Sequence, residues 1–148
     1  MDRVVLFLAS GSYLGYAPIA PGTFGSLLAL PLLVGLGHAS LPAWAVVALI
    51  VAVSLAAMPI CGRAGRIHGH ADSSRIVLDE VCGMLIAGAL VPPTARSLAI
   101  AFAAFRLFDV LKPFPAGHFD RHLKNGVGVV ADDLVAGVYA QIVVRVLA

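Results

Sequence analysis

Of the eight carboxylates in this chain of 148 residues, seven fall between positions 72 and 133. Two pairs are adjacent in sequence, Asp79-Glu80 in "IVLDEVCG" and Asp132-Asp133 in "VVADDLVAG". Each pair opens an apolar run, and a glycine follows one helical turn on, Gly83 after Asp79 and Gly137 after Asp133. A residue that small lets a second helix approach close beside each carboxylate. Two such helix starts, brought together, give a cluster of hard oxygen ligands suited to Mg²⁺ or Mn²⁺. Between them, "FRLFDVLKPFP" sets Arg106, Asp109 and Lys112 three residues apart, along one side of a helix. A guanidinium clamps two phosphate oxygens, an ammonium adds a point charge, and a carboxylate takes a metal. The set fits a metal-assisted phosphoryl reaction at a membrane surface.

Every element also has a purely structural reading. Aspartates in a first turn offset the helix dipole and cap its free N–H groups, which is how Asp132 reads by itself. Arg106 and Asp109 are spaced for an intrahelical ion pair, and Lys112 for a side chain snorkelling from a helix end. Asp120 reads as a solvated loop acid, as does Asp72 taken alone. So many coincidences within about sixty residues favour one shared site, in which Asp72 and Asp109 join the acid pairs. The histidines form no HExxH or other zinc pattern; His68 and His70, close to Asp72, fit either a solvated loop or proton transfer. Neither a GK[ST] phosphate loop nor a G-x-S-x-G elbow is present.

The elements that must position these residues are apolar. The chain is 60% hydrophobic and 12% charged, against about 25% charged in a soluble domain, and its mean hydropathy is +0.97. "LPAWAVVALIVAVSLAAMPIC" runs through residues 41–61 without a charge, about the length that crosses a bilayer as a helix. Helices are expected at 26–38, 43–61, 78–91, 97–111 and 132–147, with "YAPIAPGTFGS" (16–26), the polar stretch 62–75 and the segment 116–131 between them as loops. The pair 78–91 and 97–111 is short for two crossings and reads either as tilted spans or as a hairpin packed inside the bundle. Basic residues gather in 62–75 and around 112–124, so both segments belong on the cytoplasmic side. A removable signal peptide is not expected, because no A-x-A-like site follows the apolar stretch. Net charge is +2, too little to argue for nucleic acid, and Cys61 and Cys82 read as buried thiols. The expected fold is an all-α, single-domain integral membrane bundle of about four to five apolar helices over residues 1–148.

Four motifs in order, "APIAPGTFGS" (17–26), "IVLDEVCGMLIA" (76–87), "FRLFDVLKPFP" (105–115) and "DDLVAG" (132–137), resemble the phosphatidylglycerophosphatase A family over roughly residues 11–147. The resemblance implies a small helical enzyme of the bacterial inner membrane, multi-pass, Mg²⁺-dependent, with its site on the cytoplasmic side. Its substrate would be a phospholipid in the membrane: the terminal phosphate of phosphatidylglycerophosphate is removed to give phosphatidylglycerol. By motif, Asp79, Glu80, Asp132 and Asp133 take the catalytic and metal positions, and Asp72 matches an acid seven residues before the D-E pair. Arg106, Asp109 and Lys112 match R-x-x-D-x-x-K-P, and Thr23 and Ser26 fall in a P-G-T-x-G-S loop that would cradle the phosphate or head group. Two positions depart from the pattern: Ala71 stands where a His is frequent, and Asn125-Gly126 where Gly-Gly is. Water activated by a metal is preferred over an aspartyl nucleophile, since no D-x-D motif appears.

Three readings compete with this one. A phosphatase of another lipid or isoprenoid phosphate fits the same residues. A phosphotransferase using CDP-activated lipids needs a D-G-x-x-A-R run that the chain lacks. A small ion or metal transporter predicts acids spread through the depth of the membrane, whereas these gather at helix ends.

Overall fold

The computed structural model describes the backbone of residues 1–148 and every side chain but that of Asp120, so the expectation of a solvated acid there lies outside the described residues. The chain is all helical, in the order α1 (Asp2–Ala9), a 3₁₀ turn at Leu14–Tyr16, α2 (Pro21–His38), α3 (Ala43–His68), α4 (Leu78–Ala87), α5 (Ala95–Leu111), α6 (Ala116–His122) and α7 (Gly126–Leu147). The five apolar helices foreseen are present as α2, α3, α4, α5 and α7, and the short α1 and α6 are added to them.

Three helices, α2, α3 and α7, are long and apolar enough to cross a membrane. Their outer faces stay apolar: Leu55, Val138, Ile142 and Val146 are all exposed, which suits hydrocarbon as the surrounding solvent. The ten-residue α4 spans only about 15 Å and is no crossing. Val81, Cys82, Gly83, Met84 and Leu85 are buried around its whole circumference, so α4 packs inside the bundle, whereas α5 buries one face and leaves Leu107, Val110 and Leu111 exposed. One core joins α2, α4, α5 and α7 through Leu33, Met84, Phe105 and Val144, and a second joins α1, α3 and α4 through Ala9, Cys61 and Cys82. Both cysteines are buried and free, as expected.

Helix α4 ends at Ala87 rather than 91 and α5 begins at Ala95 rather than 97, and three further boundaries differ from the sequence reading. Helix α7 begins at Gly126 rather than 132, because Asn125 Oδ1 accepts hydrogen bonds from the N–H groups of Val127 (3.1 Å) and Gly128 (3.0 Å). The glycines that looked like a loop are instead the contact surface, with Gly126 against Met58 and Gly62 of α3; tertiary packing overrides their low helix propensity. Helix α3 continues past residue 61 to His68, its added turns held by Arg63 Nη2 on Asp2 Oδ1 at 2.7 Å and by the buried Ala64 and Gly65. It stops at Gly69, whose φ of +85° lies in the left-handed region. Helix α2 starts at Pro21, whose fixed φ suits a first helical position, so Thr23 and Ser26 are helical and not in a loop.

Gly62 lies against Gly126, and Lys112 reaches Asp132, so segments 62–75 and 116–131 end on the same side of the bundle.

Candidate functional site

Four helix ends meet at that side: the starts of α2 and α4, the end of α5 and the second turn of α7. Asp79 and Glu80 occupy the first turn of α4, and Asp133 faces them from α7. One carboxylate oxygen from each of the three lies within 4.8 Å of the others. The approach of α4 to α7 depends on the glycines: a Cβ on Gly83 would stand 2.5 Å from the Asp133 carbonyl oxygen, and one on Gly137 would strike the backbone of Gly83. The spacing that suggested close helix contact beside each acid is thus realised, and the two glycines sit on one another.

The acids are costly where they are. Asp79 is 7% exposed and Asp133 4%. Asp79 Oδ1, Glu80 Oε2 and Asp133 Oδ2 are shut off from solvent and have no hydrogen-bond partner among the described residues. A buried, unpartnered carboxylate costs several kcal/mol, and three aimed at one another are stable only with protons or a cation between them. Burial first, then the charge of Asp133, pushes the Glu80 carboxyl up to about 8. Burial, then Glu80, raises Asp79 well above the carboxylate range. The donor set, all hard oxygens, fits Mg²⁺ or Mn²⁺.

The fourth acid of the pairs behaves differently. Asp132 is buried but holds Lys112 Nζ at 2.7 Å. It is not the helix cap, since Asn125 is. Lys112 does not snorkel away: φ of 45° turns the chain at the end of α5, just before Pro113, where a helical conformation is disfavoured. That turn aims the ammonium across at α7. Arg106 Nη1 pairs with Asp109 Oδ2 at 2.6 Å along α5, which realises the intrahelical pair foreseen, and Asp109 still stands beside Asp133 in the wall of the same cavity. A cavity of about 60 Å³ lies among Asp72, Asp79, Glu80, Asp109, Lys112 and Asp133, with Lys124 and Asp132 also in its walls. That is room for an ion and a few atoms, not for a lipid.

The remaining expectations divide. Asp72 reaches the cavity wall but is exposed at its rim. Thr23 is half-buried near the start of α2. Ser26 is fully buried and its hydroxyl donates to the Gly22 carbonyl at 2.9 Å, so its hydrogen is already committed. His68 packs against Tyr16, and neither it nor His70 lines the acid cavity. Two participants escaped the sequence reading. Gly22 lets the start of α2 press against Glu80 and Arg106, whose Nη1 would lie 3.3 Å from a Cβ placed there; the Pro-Gly pair at a helix start was its signal. Lys124 counted only as one of the basic residues gathered around 112–124.

The arrangement combines a cluster of hard oxygen donors with fixed positive charge at its edge, which suits a phosphate bound partly to a metal and partly to protein. The family model described as phosphatidylglycerophosphatase A matches residues 7–148. A relative from Bacteroides thetaiotaomicron, provisionally named a phosphatidylinositol-3-phosphatase, is 36% identical over 95% of this chain and 91% of its own length. Phosphatidylglycerophosphatase A from Haemophilus influenzae is 38% identical over 93% of this chain and 84% of its own, and that from Escherichia coli 37% over 88% and 76%. No solved structure matches.

Proposed function

The chain belongs to the phosphatidylglycerophosphatase A family of phosphatases, and we propose that it hydrolyses the terminal phosphomonoester of phosphatidylglycerophosphate with Mg²⁺ held by Asp79, Glu80 and Asp133. The observation that carries this reading is the trio of buried, unpartnered carboxylate oxygens beside Lys112 and Arg106. A bound Mg²⁺ supplies a Lewis acid for the phosphoryl oxygens and lowers the pKa of water. Hydrolysis adds a water oxygen to phosphorus, breaks the bond to the glycerol oxygen and returns a proton to that oxygen. Lys112, anchored by Asp132, brings positive charge to the cavity wall where phosphoryl oxygens would gather. Arg106, held by Asp109, stands beside the start of α2 and offers a second cation to the head group. The arginines and lysines at the site end support a cytoplasmic position for it. Because the acids collect at one end of the bundle, the transport reading loses its basis.

The test is phosphate release from phosphatidylglycerophosphate in detergent micelles, with Mg²⁺ and with chelator. Release that requires the ion supports the proposal; equal rates with chelator remove the metal from it. The Bacteroides relative's name makes phosphatidylinositol 3-phosphate the comparison substrate, and a higher kcat/KM on that lipid would change the assigned substrate without changing the site.

The raised carboxyls predict how pH acts on the metal-free protein. Glu80 binds its proton more tightly folded, at about 8, than at its ordinary 4.5. The stability this contributes is complete below the ordinary value and is lost as pH rises through about 8. Without Mg²⁺, Tm should therefore fall between pH 5 and 9, to the extent set by this group. With Mg²⁺ present the same window should show a growing Tm increment and proton release on binding. Thermal unfolding across that range, with and without the ion, checks both signs.

A further inference from the structure

We propose that a basic crevice between the last turns of α3 and the start of α7 is a phosphate site, through which the phosphate freed in the acid cavity leaves; the inference rests on the phosphatase reading above. The crevice holds about 480 Å³ and is walled by Gly65, Arg66, His70, Ala71, Lys124 and Asn125, among others. No carboxylate among the described residues lines it. Ala71 and Lys124 also wall the acid cavity, so the two spaces share a side.

The helix start is not the attraction, because Asn125 already accepts from the Val127 and Gly128 N–H groups. The attraction is side-chain charge. Arg66 and Lys124 are exposed, and neither has an ion-pair partner among the described residues. A guanidinium and an ammonium on one crevice provide forked and single donors for the oxygens of a phosphate.

Position selects the source of that phosphate. Asp132 lies six residues into α7 from Gly126, about 9 Å further along the helix, so the crevice is outside the acids toward the polar end. The described lining of the crevice is polar, basic or small, with no large apolar side chain to hold an acyl chain. A phosphate released beside Lys112 meets Lys124 in the cavity wall and Arg66 beyond it, cation after cation toward water.

Equilibrium dialysis of radiolabelled inorganic phosphate against the full chain in detergent tests the site. The Arg66→Gln/Lys124→Gln variant should bind about tenfold more weakly or worse, while Asp133→Asn keeps the crevice's binding. Equal binding by wild type and the double variant, or loss of all binding in Asp133→Asn, would overturn the proposal. Both substituted residues are exposed, and an unchanged elution profile verifies the fold. Short-chain phosphatidylglycerol is the second arm: if it displaces the bound phosphate, the exit role fails and the crevice takes the lipid's phosphodiester. Turnover of phosphatidylglycerophosphate by the same wild-type sample reports separately on the phosphatase reading.

Discussion

Asp133→Asn is expected to lower phosphate release from phosphatidylglycerophosphate by about a thousandfold, about 4 kcal/mol of transition-state stabilisation, while leaving the metal-free protein at least as stable as the parent. The two halves of this result come from one feature. Asp133 is 4% exposed, its Oδ2 has no partner among the described residues, and it faces Asp79 and Glu80. Asparagine keeps the volume and removes one of three crowded buried carboxyls that only protons or a cation reconcile, so folding loses nothing that the acid supplied. What it removes is a ligand for a cation. Wild type should gain Tm with Mg²⁺, since a ligand at about a hundred times its Kd stabilises by about 2.7 kcal/mol, and the variant should gain little. Asp79→Asn should behave in the same way. A variant that lost both activity and metal-free stability would mark Asp133 as structural, and wild-type rates in both variants would sink the site assignment.

Gly83→Ala should cost both stability and turnover. Its methyl would lie 2.5 Å from the Asp133 carbonyl oxygen and 2.5 Å from Phe105 Cε2. Neither neighbour has room to retreat: the first is helix backbone, and Phe105 is fully buried. Overpacking of this kind costs about 1–3 kcal/mol. It also wedges α4 from α7, and a shift of about 1 Å between reacting groups can cost about a hundredfold in rate. Gly35→Ala is the control, since a Cβ there meets nothing within 4 Å and a helical Gly→Ala change stabilises by about 0.5–1 kcal/mol. Thermal unfolding and kcat for the two variants should move in opposite directions for stability, with turnover lost only for Gly83. Were Gly83→Ala as active as the parent, the glycine contact would not be what sets the acids' spacing.

Much of this site was readable before any coordinates, because the features concerned are local. One turn of helix separates Asp79 from Gly83 and Asp133 from Gly137, and helix geometry alone makes that a place for close approach. The long apolar runs were readable because bilayer thickness fixes the length of a crossing. The separation of Asp133 from Asp132 was less secure, since only a partner distant in sequence, Lys112, distinguishes the two. The start of α7 was misplaced for the same reason: Gly126 and Gly128 look like a loop until Gly62 and Met58 are set against the first of them. The Ser26 hydroxyl suggests a phosphate donor but is consumed by the helix itself, and Gly22 gives no such signal because its contribution is the side chain it lacks.

The shortness of α4 bears on how the molecule is assembled during synthesis. Three helices carry the hydropathy and length that partition on their own, and α4 does not. Its ten residues, with two acids in the first turn, must enter a scaffold that α2 and α3 have already made, and wait for α7 to arrive from the C-terminal end. The bundle's most guarded charges are therefore placed by folding within the bilayer rather than by insertion into it.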